Sequence, residues 1–298
     1  MSLRLFLAAF WLGLTLPTLA QAAAPVRVVT SFSILADMVQ QVGGAAVTVN
    51  SLVGPDGDAH VYEPTPTDVQ TLLAADLFVI NGLGFEGWIE RLVKAAGFKG
   101  QVITLAEGIS RLPRHAAAHS DQTDPHAWHD LANGRLYVTH ITEALARFAP
   151  AQAPLFRANA ARYEAQLAEL DLWVRAQWAT IPMDRRKVIT SHDAFGYFAR
   201  AYGITFLAPV GISTEAEPSA RDLAQLVLQA KREGIRAIFL ENMSDPRLVQ
   251  QLAREAGITV GGTLYPDALS AADGPAPTYV ALIRHNVTRL KQAMLGGQ

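Results

Sequence analysis

The segment Pro154-Leu155-Phe156-Arg157-Ala158-Asn159-Ala160-Ala161-Arg162-Tyr163-Glu164-Ala165-Gln166-Leu167-Ala168-Glu169-Leu170-Asp171-Leu172-Trp173-Val174-Arg175-Ala176-Gln177-Trp178-Ala179-Thr180 has neither glycine nor proline after its first residue. Proline suits the first turn of a helix, where an N–H has no intrahelical partner to lose. Leu155, Tyr163, Leu167, Leu170, Trp173, Val174 and Trp178 recur at a helical period. The spacing predicts one helix over Leu155–Thr180, about 39 Å long at ~1.5 Å per residue. Such a helix is a stiff strut able to span two domains. Its apolar stripe lacks sustained heptads, which speaks against a coiled-coil partner surface.

On both sides of the strut, strand and helix patterns alternate. Before it, strands are expected at Val26–Ser31, Val47–Val53, Asp76–Asn81 and Gln101–Leu105, with helices at Ile34–Val42, Thr67–Ala74 and Glu86–Ala96. After it, strands are expected at Lys187–Ser191, Thr205–Val210, Ala237–Glu241 and Ile258–Leu264. The helices expected there are Ala194–Tyr202, Ser219–Glu233, Asp245–Ala256 and Thr278–Leu295. Runs such as Leu77-Phe78-Val79-Ile80 lack polar alternation, as strands covered on both faces do. The reading is an α/β protein of two (β/α) lobes with parallel sheets. The N-terminal lobe is expected over 23–150, a linking helix over 151–182 and the C-terminal lobe over 183–298.

With 298 residues, half of them apolar and 17% charged, the chain exceeds one typical domain and excludes intrinsic disorder. Lys and Arg number 25 against 27 Asp and Glu, with no basic stripe, so no nucleic-acid partner is expected. Residues 1–22 read as a signal peptide: Arg4, the apolar run Leu5–Leu16, then the small residues around Ala20-Gln21-Ala22. That run falls short of the ~20 residues a membrane span needs. Cysteine is absent, so no disulfide can form and no thiol is present for lipid attachment. The expectation is a soluble, exported periplasmic monomer that is not a lipoprotein.

Eight histidines are spread along the chain, and position singles out three. In open α/β sheets, ligands bind beyond the carboxyl ends of the strands. His60 lies in the loop after Val47–Val53, His126 in Asp124-Pro125-His126 before a helix, and His192 at the end of Lys187–Ser191. Asp267 follows Ile258–Leu264 through Tyr265-Pro266. Three imidazoles and one carboxylate converging on an interlobe cleft would form a tetrahedral site suited to Zn²⁺.

These residues also carry a resemblance. The stretch Asp58-Ala59-His60-Val61-Tyr62-Glu63-Pro64 is similar to the first ligand motif of the periplasmic solute-binding proteins of zinc and manganese ABC importers. Asp124-Pro125-His126-Ala127-Trp128, Ser191-His192-Asp193-Ala194-Phe195-Gly196 and Tyr265-Pro266-Asp267 resemble the second, third and fourth. The resemblance implies two lobes joined by a backbone helix, metal held in the cleft by His60, His126, His192 and Asp267, and delivery to an ABC permease in the inner membrane. Manganese-type members typically carry glutamate at the third position; His192 implies the zinc branch, since imidazole favours zinc and manganese favours oxygen-rich sites.

Zinc-type members often carry a long histidine-rich loop before the second ligand; the stretch Arg114–Asp124 is short. His115 and His119 could still capture metal and pass it on. His129, three residues beyond His126, could compete for metal or guide it, although a solvent-facing side chain is the simpler expectation. Asp193 is a candidate to orient His192, and His140 and His285 are read as structural. The alternatives are a manganese-binding member of the family, a periplasmic zinc metallochaperone or a partner of one, and an adhesin. A zinc hydrolase is disfavoured: no HExxH motif is present, and four protein ligands would leave no open position for water.

Overall fold

A computed structural model describes residues 24–112, 123–215 and 218–296. The expected signal peptide over 1–22, and His115 and His119, lie outside the described residues. The first lobe runs β1 (Val26–Phe32), α1 (Ser33–Gly43), β2 (Val47–Val53), α2 (Pro66–Leu73), β3 (Leu77–Ile80), α3 (Ile89–Ala96), β4 (Gln101–Thr104) and α4 (Leu131–Phe148). The long helix α5 (Ala153–Trp178) follows. The second lobe runs β5 (Lys187–Ile189), α6 (Gly196–Tyr202), β6 (Thr205–Leu207), α7 (Ala220–Arg232), β7 (Ala237–Glu241), α8 (Pro246–Ala256), β8 (Thr259–Leu264) and α9 (Tyr279–Leu295).

Each lobe holds a four-stranded parallel sheet, in the orders β2-β1-β3-β4 and β6-β5-β7-β8. The two orders are the same, so each sheet has one switch point, between β1 and β3 and between β5 and β7, where loops diverge and leave a crevice. The central strands β1 and β3 are buried almost throughout, whereas the edge strand β4 opens with two exposed residues. That difference follows from helices covering both faces of the sheet centre.

The patterned strands are mostly right, but two end early. Lys187–Ser191 was expected as one strand, yet β5 stops at Ile189. The N–H groups of Ser191 and His192 turn away to donate to the Glu241 carboxylate at 3.0 and 3.2 Å. The chain from Leu207 to Val210 leaves the ladder likewise, keeping only an isolated bridge between His192 and Val210. The strand is sacrificed where its tip must present a side chain.

Helix α5 begins and ends two residues earlier than the pattern suggested. Its buried face is Phe156, Asn159, Ala160, Tyr163, Leu167, Leu170, Val174 and Trp178, while Leu155 is exposed. The first half of α5 packs on α1 and α4, where Asn159 donates to the Val42 carbonyl at 3.0 Å. The second half meets α6 and α9: Tyr202 donates to Asp171 at 2.8 Å, and Arg284 lies 4.9 Å over the Trp173 ring. Both lobes therefore share one continuous apolar core, while a smaller cluster (Leu226, Ile238, Val249, Leu252) lies under α7 and α8.

Candidate metal centre

Four side chains meet in the cleft at the carboxyl ends of both sheets. His60, His126, His192 and Asp267 each offer a ligand atom, all within 4.8 Å of one another, and all four residues are buried. Nε2 of His60 lies 3.2 Å from Nε2 of His126 and 3.4 Å from Oδ2 of Asp267. Asp267 stands 3.6 Å from His126 and 3.1 Å from His192. A tetrahedron with metal–ligand bonds of ~2.0–2.1 Å has edges of about 3.3–3.4 Å, the scale of these separations. Both Asp267 oxygens and the His192 Nε2 are buried without a hydrogen-bond partner among the described residues. Unpaired polar atoms are costly inside a protein, so their convergence marks a place for a cation.

Each ligand is placed by a local device. The His60 loop is held by Trp88, whose indole donates to the Ala59 carbonyl at 2.8 Å, and by Asp58, which accepts the His60 backbone N–H at 2.9 Å. Asp124 accepts from both the backbone N–H and the Nδ1 of His126, at 2.9 and 2.8 Å. The carbonyl of Pro125 accepts from Asn81 at 2.9 Å, and Asn81 in turn accepts the Tyr137 hydroxyl. Behind this lies the buried Glu86, which accepts from Ser31 and from the backbone of Asn81. Burial pushes its carboxyl above the usual range. The Trp128 indole donates to the Pro266 carbonyl at 2.9 Å and so joins the His126 segment of one lobe to the Asp267 segment of the other.

Glu241 ends β7 and binds His192 Nδ1 through Oε2 at 2.6 Å. The sequence offered Asp193 as a candidate for orienting His192; the brace seen on its Nδ1 is Glu241, because the switch point sets the tips of β5 and β7 side by side. A charged residue closing the apolar run Ala237-Ile238-Phe239-Leu240 was the available signal. Burial lowers the His192 imidazole, but the Glu241 and Asp267 carboxylates outweigh it and hold it well above its ordinary value. Burial raises the Asp267 carboxyl, but His192 and His126 outweigh it and hold it well below. His60 is lowered by burial.

His129 corrects its expectation. It does not face solvent: it is fully buried, its ring 4.7 Å from Phe195, with both nitrogens unpartnered among the described residues. Burial depresses its value to about 3. It stands outside the group of four, so capture of metal from solution does not fit its place. His140 donates to the Leu105 carbonyl and His285 to that of Thr263, as structural histidines do.

The profile described as "Zinc-uptake complex component A periplasmic" (ZnuA) matches residues 28–293. The chain is 33% identical over 261 residues to a manganese-binding lipoprotein, MntA, of Halalkalibacterium halodurans, covering 88% of this chain and 86% of that protein. It is 32% identical over 271 residues to the iron-binding protein YfeA of Yersinia pestis, covering 90% of this chain and 86% of the other. The structure of the periplasmic zinc-binding protein TroA of Treponema pallidum superposes with a TM-score of 0.86 at 31% identity, covering 91% of this chain and 99% of that one.

The relatives also correct the expected localisation. The Halalkalibacterium protein, and others from Bacillus subtilis and from streptococci, are named lipoproteins, so free solubility is not a property that comes with this fold. Among the described residues, no helix is long and apolar enough to cross a membrane. Members of this family bind and hand over metal and do not catalyse. With the profile covering both lobes and the four-ligand cleft between them, the chain belongs to the ZnuA family of metal-binding solute-binding proteins, which serve the membrane permeases of ABC importers.

Proposed function

We propose that this chain captures Zn²⁺ at His60, His126, His192 and Asp267 and delivers it to the permease of an ABC importer. The observation carrying the reading is the donor set: three imidazole nitrogens and one carboxylate at near-tetrahedral separations, with both carboxylate oxygens buried and unpaired. Imidazole-rich sites of four ligands suit zinc, whereas manganese favours oxygen donors. Because α5 packs on both lobes, handover is expected through loop and side-chain movement, without wide hinge opening.

A second reading is capture of Mn²⁺ or Fe²⁺, the ions in the names of the Halalkalibacterium and Yersinia relatives. One feature favours it: Asp267 turns one oxygen to His126 and the other to His60 and His192, and could bind through both. Competitive titration separates the readings. Metal-free full chain is titrated with Zn²⁺ against a chromogenic chelator, and again in excess Mn²⁺. One tight Zn²⁺ per chain that Mn²⁺ does not displace is expected, and Asp267→Ala and His192→Ala should bind it more weakly. Displacement by Mn²⁺ would sink the zinc reading.

A further inference from the structure

The three histidines of the centre are not equally held. His126 has its second nitrogen on Asp124, and His192 has its second nitrogen on Glu241. His60 has no carboxylate brace among the described residues. Its ring meets the other site residues and the Phe85 ring, 4.5 Å away between centroids. The backbone beside it is nonetheless fixed. Asp58 accepts the His60 N–H through one oxygen and the Thr214 hydroxyl of the other lobe, at 2.7 Å, through its second. The His60 ring is thus held by ring packing and by the site itself, with no second hydrogen bond among the described residues to fix it.

His60 also faces the way out. An interlobe cavity of about 630 Å³ is bordered by His60, Phe85, Arg111, Thr123, Ser213 and Glu215, and by none of the other three site residues. His192 borders a second cavity of about 590 Å³, but its outward nitrogen is already committed to Glu241. His126 and Asp267 are fully buried.

We infer that His60 is the exchange ligand: metal passes through the interlobe cavity and joins or leaves the centre past this ring, while His126, His192 and Asp267 form a preassembled three-ligand cradle. The inference rests on the metal-capture reading above. It predicts how the variants His60→Ala, His126→Ala and His192→Ala release Zn²⁺ to excess chelator in stopped flow, with and without free imidazole. Wild type in the same imidazole corrects for metal taken by the free base.

His60→Ala should keep one Zn²⁺ per chain and release it at least roughly tenfold faster than wild type, the lower end of the scale on which metal-site partners act. Imidazole, reaching the centre through the cavity, should restore slow release to His60→Ala and to neither buried variant. Release from His60→Ala at the wild-type rate, no effect of imidazole on it, or equal rescue of His126→Ala or His192→Ala would each overturn the inference. Should the buried variants not fold, the visible spectrum of Co²⁺-loaded His60→Ala decides. A shift toward the wild-type spectrum on adding imidazole supports the exchange ligand, and an unchanged spectrum refutes it. A wild-type chain that holds neither Zn²⁺ nor Mn²⁺ is a different result, which removes the capture reading itself.

Discussion

Glu241 carries a charge at the end of a strand whose other residues are apolar, and it is 4% exposed. Its oxygens take two backbone N–H groups and the His192 ring. The imidazole, with burial against it, is held above its ordinary value by Glu241 and then Asp267, so a proton competes with metal for His192 to a higher pH than on an ordinary imidazole. Metal binding then expels that proton, and affinity should keep rising with pH beyond the ordinary imidazole value of about 6.5. The same raised value stabilises the metal-free fold below about pH 6.5, a contribution lost as pH climbs through the folded-state value. Glu241→Ala should lower metal affinity by about 10–100-fold through loss of orientation. It should also move the pH dependence to lower pH, since the Glu241 carboxylate that helps hold the ring's value up is gone. Chelator competition across pH measures both; an unmoved profile would show that Glu241 does not set the His192 proton.

At the scale of elements, the lobes are joined by more than α5. Trp128, in the short turn between His126 and α4, reaches the Pro266 carbonyl, and the Tyr279 hydroxyl at the start of α9 donates back to the Trp128 carbonyl. Gly134 in α4 permits that approach: a Cβ there would lie 2.7 Å from the Tyr279 oxygen. Trp128→Phe removes the indole donor and leaves the buried Pro266 carbonyl unpaired, at a cost of about 1–3 kcal/mol. Denaturant unfolding of the metal-free chain should show that loss, and chelator competition should show weaker metal binding, because Asp267 follows Pro266. Unchanged stability and affinity would mean the bond is incidental.

At the scale of the whole molecule, the apolar core runs without interruption from β1 through α5 to α9. The metal-free chain should therefore unfold in a single calorimetric transition, and two separated transitions would contradict the shared core. Ligands drawn from both lobes make metal a further staple. At free metal near 1,000 times its dissociation constant, binding should add about 4 kcal/mol and raise the midpoint accordingly. A midpoint indifferent to Zn²⁺ would mean that the four side chains do not close on metal together.

Much of this was legible in the chain alone. The alternation of apolar runs and helical periods foretold two parallel α/β lobes, and the glycine-free stretch foretold the strut, because both signals are local: neighbours in sequence set the period. Places near strand ends singled out His60, His192 and Asp267 as candidates, while His126 came from a loop before a helix. The set of four came from the motif resemblance, and the structure brings these four side chains together. What only the tertiary structure decided is non-local. Sheet order brings β7 beside β5 and so sets Glu241 against His192. Packing against Phe195 buries His129, which three-residue spacing alone would have set beside His126. The brace on His126 is local, two positions away, but the brace on His192 comes from a residue 49 positions on that only the folded second sheet sets beside it. A chain's period reports which face is apolar; it does not report which distant atoms that face will meet.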